Sequence, residues 1–435
     1  MSEAVLQAAV AHGGASGGSV VYDTVNDKVL YFYRSGTNGY LYGRVGTIAN
    51  GQISFGTAAA SASVTVNYVN AAFDTNAGKT VVVYNNDGGN NYPYAVVATV
   101  SGTNISFGTP VVMKSEAQYS TRVLYDSNAQ KVLCTYHGNL YHEVRGRVGT
   151  VSGTSISFGT ESDISSLNAV QGNSNISFDS NVNKFLLVYQ QSGETWFNVR
   201  VLTISGTSIS GGTEIKLVQG STNSSTTSGP TITFIPNINK FAVFWNFSTN
   251  AYYAVITIDG TSVETNISNV LYSFSGGNYG AGYNSAQYIT VAGDKEIFNF
   301  SDGTYEYFMP VEVTATEVKF GPLDSIIRWG AGTSSDSVYD PDAGAVINVD
   351  ASNTRVSNVT APIFVGIAAE NISNGATGTV TVVGGINTSV SGLTAGKTYG
   401  LPSSSATISE AGISGDGAFG VALSSSSIYL NAGKI

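Results

Sequence analysis

"SGTNISFGTP" at residues 101–110 returns as "SGTSISFGTE" at 152–161 and as "SGTSISGGTE" at 205–214, with a shorter form, "GQISFGT", at 51–57. A second phrase precedes each one: "YDTVNDKVLYFY" from Tyr22, "FDTNAGKTVVVY" from Phe73, "YDSNAQKVLCTY" from Tyr125 and "FDSNVNKFLLVY" from Phe178. Weaker copies begin at Phe234, Ile289 and Tyr339. The lysine of this phrase stands at Lys28, Lys79, Lys131, Lys184, Lys240 and Lys295, and Ala345 takes its place in the seventh copy. Successive spacings are 51, 52, 53, 56, 55 and 50 residues, which is a period.

Three columns carry the physics of the repeat. Six residues before the lysine the chain is aromatic at Tyr22, Phe73, Tyr125, Phe178, Phe234 and Tyr339. The next position is Asp23, Asp74, Asp126, Asp179 and Asp340 in five copies. An Asp entering a turn accepts from backbone N–H groups two residues on, so these five are expected to cap turns. Five residues after the lysine stand Tyr33, Tyr84, Tyr136, Tyr189, Trp245 and Phe300, expected to pack unit against unit.

Each unit reads as four short strands. In the third copy these are "STRVLYD", "VLCTYH", "VRGRVGTV" and "ISFGT", with "SGTS" as a hairpin turn whose Gly supplies a positive φ. Four antiparallel strands at such a period predict an all-β fold, a β-propeller of about seven blades over residues 1–362. A β-solenoid is the alternative, although its rungs are usually shorter. The seventh copy lacks the closing phrase, and "AVLQAAVAHG" at 4–13 is expected to supply its fourth strand.

Composition agrees with sheet and tight turns. Charged residues are 11% of the chain, so polarity rests on Ser, Thr, Asn and the 51 Gly. A net charge of −10 with no Lys/Arg cluster argues against nucleic acid as a partner. Cys134 is the single cysteine and forms no internal disulfide. The N-terminus has no basic segment followed by an apolar run, so a signal peptide is not expected, and no stretch is long and apolar enough to insert in a membrane.

The period fails after residue 362, and residues 363–435 read as a small C-terminal β-module. Its run "VGIAAENISNGATGTVTVVGG…SGLTAGKTYGL…FGVALSSSSIYL" resembles a C-terminal β-module of tailed-bacteriophage virion proteins of the tail-fibre type. The resemblance covers only the last ~75 residues. It implies a non-enzymatic structural component of a virion, assembled in the host cytoplasm. The implied partners are other virion proteins, copies of the same chain and host-surface glycan. A capsid-surface decoration protein and a glycan-cleaving, sialidase-like hydrolase are the alternatives.

Catalytic candidates are sparse, and no catalytic residue, metal ligand or cofactor is assigned. His137 belongs to a column that also holds Arg34, Asn85, Gln190, Asn246 and Ser301. A column accepting any polar residue reads as a strand end meeting water. The turns "FDSNVNK" and "YDPDAG" begin like a calcium loop, but no bidentate Glu follows. The variable loops between second and third strands are rich in Tyr, Asn, Gly and Ser, a mixture suited to recognition. Tyr40, Tyr92, Tyr94, Tyr141, Trp196, Tyr252 and Tyr305 are the expected ligand-binding residues there.

Overall fold

The computed structural model describes Val5–Leu6, Val10–Ala11 and most of 15–358, without 50–51, 62, 139–142, 195, 219–229, 248–249, 273–287, 293–294, 302–304, 315–316, 321–326, 332–335 and 350–352. Beyond 358 it describes 367–368, 380–381, 386–388, 390–391, 393–395, 397–400, 409–410 and 418–430. The chain divides into Val5–Asn358 and a second unit containing residues 359–435.

Val5–Asn358 is a β-propeller of seven antiparallel sheets in sequence order. Blade 3 shows the plan. Gln118–Asp126 pairs with Lys131–Gly138, which pairs with Val144–Ser152, which pairs with Ser155–Phe158. The fourth strand is split. After Phe158 the chain kinks at Gly159 and resumes as Ser162–Asp163 on the same partner. Blades 1, 2 and 4 repeat this interruption at Gly56, Gly108 and Gly212, where each glycine N–H bonds back to the third strand. In blade 5 the fourth strand, Ser262–Tyr272, is a single element.

The repeated wording has a spatial cause. A Cβ on Gly56 would fall inside contact distance of the carbonyl oxygen of Thr103, which belongs to the "SGT" turn of the next blade. Gly108 meets Thr154 in the same way, Gly159 meets Thr207, and Gly212 meets Thr261. The closing phrase of one blade therefore docks on the turn of its successor. The turn glycines Gly102, Gly153, Gly206 and Gly260 have φ between 59° and 62°, so the hairpins need them too.

Hydrophobic clusters lie between blades. Tyr84 of blade 2 packs with Leu30, Phe32 and Leu41 of blade 1, and Tyr136 of blade 3 with Val81, Val83 and Val97 of blade 2. Tyr189 and Trp245 repeat the contact one and two blades further on. Tyr31 and Tyr33 pack on Ala345, Ile347 and Val349 of blade 7, which closes the ring.

Closure has a covalent logic as well. The last blade consists of Asp336–Asp340, Ala345–Val349 and Asn353–Asn358, and its fourth strand comes from the N-terminus. Val5–Leu6 pairs with Ser357–Asn358, and Val10–Ala11 with Asn353–Thr354. These two pieces correspond to the two-piece fourth strands of blades 1 to 4.

In the second unit, a five-stranded sheet runs Ile386–Asn387, Ser427–Leu430, Ala418–Ser424, Thr398–Gly400 and Ser409–Glu410. Leu393, Tyr399, Ala422 and Ile428 form its core.

Candidate functional site

A four-stranded meander puts its first–second and third–fourth turns on one face of the propeller. The second–third loops and the links between blades lie on the other. The first kind of turn is uniform. Asp23 Oδ1 accepts from the N–H groups of Val25 and Asn26, and Asp126 from Asn128 and Ala129. Asp179 accepts from Asn181 and Val182, Asp340 from Asp342 and Ala343, and Asp74 from Ala77. The residue before the lysine column is left-handed at Asp27, Gly78, Gln130, Asn183, Asn239 and Gly344, with φ from 53° to 59°. The buried carboxylates thus close their own turns.

On the loop face, three loops among the described residues are equivalent. The N–H of Ser35 bonds to the carbonyl of Tyr40, that of Asn86 to Tyr92, and that of Gln191 to Trp196. Asn38 and Asn90 accept from the N–H of Tyr40 and Tyr92, each two residues later. Tyr40, Tyr92 and Trp196 therefore hold one structural position, just before the third strand, and all three are half-buried. One face of the Trp196 ring carries the Lys216 ammonium at 2.9 Å from its centroid, and its Nε1 donates to Gln191.

The other loop candidates divide. Tyr94 is a blade residue, stacked on Tyr84 with centroids 5.7 Å apart and planes 8° from parallel. Tyr141 lies outside the described residues. Tyr252 and Tyr305 lie in the third strands of blades 5 and 6, and their side chains are not among those described. Sequence reading passed over Tyr68 and Tyr119, at the loop-face ends of two first strands. Their rings meet edge to face at 6.4 Å. Tyr68 is 47% exposed and has φ 52°, an uncommon conformation for a bulky residue, at a bulge in its strand. The signal was a Tyr in "NYVN" and in "QYST", one position apart in the repeat, which reads as ordinary strand.

At the end of the second strand, Asn85, His137 and Gln190 of the polar column do not meet water, while Arg34 is half-buried. Asn85, His137 and Gln190 are 1%, 0% and 1% exposed. Arg34 donates to Asn67 Oδ1, and Asn85 Nδ2 to the Gln118 carbonyl. His137 Nε2 lies 3.1 Å from the Ala169 carbonyl oxygen, and Nδ1 lies 2.7 Å from that of Gly138. Each of Arg34, Asn85 and His137 ties its blade to the first strand of the next. Varied polar residues suffice because the partner is backbone or a short amide.

Two arginines and two glutamates are likewise occupied in the frame. Arg147 Nε donates to the Gly159 carbonyl and its NH1 group to that of Met113 in the previous blade. Arg200 repeats the clamp on Gly212 and Ile164. Glu161 accepts from Lys114 at 2.7 Å and Tyr136 at 2.6 Å, and Glu214 accepts from Tyr189. Lys114 and Tyr136 hold the Glu161 carboxyl below its usual range although burial opposes them. Lys114, Arg147 and Glu161 line a cleft of about 280 Å³ with Val112, Met113 and Ser115, and it contains a single carboxylate. At the ring closure the Tyr22 hydroxyl lies 2.8 Å from both Asp27 and Asp342. Burial and these carboxylates push the phenol up.

No family model matches the sequence, and no curated protein matches it. Among solved structures the chain is similar to a crystal structure of a protein from Lactobacillus plantarum. The identity is 12% and the TM-score 0.50, over 74% of this chain and 88% of that one. At such identity the likeness concerns the fold alone.

Proposed function

We propose that this chain is a non-enzymatic structural component of a bacteriophage virion, in its tail or tail fibres, with the loop face of the propeller attaching to host-surface glycan. The observation that carries the attachment reading is the equivalent placement of Tyr40, Tyr92 and Trp196 on one face, amid Asn, Ser and Gly. Flat aromatic faces beside small hydrogen-bonding groups suit sugar rings, which present an apolar face and a polar rim. The virion reading rests on the resemblance of the C-terminal segment. The non-enzymatic reading is supported by arginines and glutamates engaged in blade-to-blade clamps, whereas glycoside hydrolysis ordinarily needs two carboxylates flanking a bond.

The test is glycan-array binding by the full chain, with reducing-sugar release followed in parallel. Binding without release, weakened about 10-fold by Tyr92→Ala, is expected, since a lost aromatic contact is worth ~1.4 kcal/mol. Release of sugar overturns the reading in favour of the hydrolase. Antibody labelling of particles by electron microscopy tests the location. Label on the tail is expected, label on the capsid moves the chain to the decoration class, and absence of label removes it from the virion.

A further inference from the structure

The seven first strands line the propeller axis. Their inner edges have no neighbouring strand, so backbone N–H groups there need other acceptors. Position four before the end of the first strand supplies them. In the blades other than blade 6 it holds Ser19, Asn70, Arg122, Asn175, Thr231 and Asp336. Asp336 Oδ2 accepts from Val20 N–H at 2.9 Å, Ser19 Oγ from Ala71 N–H at 3.3 Å, and Asn70 Oδ1 from Val123 N–H at 2.8 Å. Each side chain thus serves the inner strand of the following blade.

Arg122 breaks the series. A guanidinium has no acceptor, so it cannot serve the Ile176 N–H, which turns to Asn175 Oδ1 at 2.9 Å. Arg122 instead feels the charge of Asp336, which belongs to blade 7, three blades away around the ring. The two do not approach within the 4.0 Å of an ion pair. Asp336 is already held by Val20, Ser19 and Ser337. Arg122 Nε is buried without a partner, and among the described residues the guanidinium makes no hydrogen bond. Burial pulls its pKa below the ordinary arginine value. Thr231 Oγ1, in the same ring of positions, is a second buried polar atom without a partner. The contrast with Arg147 and Arg200, each clamped on two carbonyls, is direct.

Arg122 is partly exposed, so the guanidinium N–H groups that no protein acceptor takes are left to water or to an anion. We propose that the central channel binds one small oxyanion, a phosphate or carboxylate group, held by the Arg122 guanidinium with the Thr231 hydroxyl as a further donor. The planar fork of arginine matches two oxygens of either group. The chain's net charge of −10 disfavours non-specific anion binding, so a saturable response reports a built site. This site is independent of the loop-face aromatics, and failure on the glycan array leaves it standing.

The test titrates the full chain with inorganic phosphate, and separately with glucuronate, at constant ionic strength by calorimetry and thermal melting. One equivalent per chain of at least one probe is expected, with a rise in melting temperature. Binding of phosphate alone identifies a phosphate group as the natural ligand. Binding of glucuronate identifies an acidic saccharide. Arg122→Gln should weaken binding at least 10-fold, while Arg34→Gln, at the far end of a second strand, should not change it. If Arg122→Gln does not fold, Arg122→Lys and Thr231→Val decide, each expected to weaken binding at least 3-fold. Absence of binding by both probes, or equal binding by wild type and the channel variants, overturns the proposal.

Discussion

A glycine can be required for its backbone angle or for the room it leaves, and this chain uses both within one ten-residue phrase. Gly102 has φ 62° and nothing within 4 Å of an added Cβ, whereas Gly108 would drive that Cβ into Thr154 of the next blade. Gly102→Ala should therefore cost only the left-handed penalty, about 1 kcal/mol. Gly108→Ala must push adjacent blades apart or bend a strand, and about 3 kcal/mol or more is expected from overpacking against backbone. Thermal or denaturant melts of the two variants separate these cases, and equal losses would contradict the docking role of Gly108. The sequence displayed both glycines but not their difference. The turn is local, so its chemistry could be read, while Gly108 and Thr154 meet only after two blades have formed.

At the scale of the element, the turns were legible and the strand ends were not. An Asp followed by Asn and a residue tolerant of positive φ specifies its turn from five consecutive residues, as Asp126-Ser127-Asn128-Ala129-Gln130 does. Asp126→Ala removes the acceptor for two N–H groups and should lower stability by about 1–2 kcal/mol, while Asp126→Asn keeps an acceptor and should lose less. Equal melts for the two variants would show that the carboxylate does not close the turn. The column of Asn85, His137 and Gln190 gave the opposite lesson. A polar residue after a run of buried ones looks the same whether it meets water or ties itself to the next blade. Only the placement of Gln118 and Ala169 beside Asn85 and His137 tells the two apart. The same limit applied to the loop aromatics. Tyr92 and Tyr94 differ by two positions, yet one is in a loop at the propeller face and the other stacks within its blade.

At the scale of the whole molecule the ring must close on itself, and two devices do this at one seam. The first is Asp336, which links blade 7 to Val20 and Ser19 of blade 1. Burial pushes its carboxyl from 3.8 up to about 6. A folded-state value above the unfolded one favours folding while the group is protonated. That stability is complete below about pH 4 and is lost as pH rises through about 6. The stability of wild type relative to Asp336→Asn should therefore fall between pH 4 and 7, by roughly 1 kcal/mol after allowance for the partial exposure of Asp336. A difference independent of pH would show that Asp336 does not titrate there. The second device is the N-terminal strand on Asn353–Asn358. Removing residues 1–11 strips the outer edge of blade 7 and leaves unpaired N–H and C=O groups there, an invitation to pair with another chain. The truncated protein should melt at lower temperature and associate as its concentration is raised. A peptide of residues 1–14 added in excess should restore both, because it replaces the same hydrogen bonds at the cost of association entropy. Unchanged melting on truncation would mean that the inter-blade core of Tyr31, Tyr33 and Ile347 holds the ring without the strand. Melting lowered but not rescued by the peptide would place the contribution of the strand in its covalent connection to blade 1, which keeps the two ends of the propeller at high effective concentration.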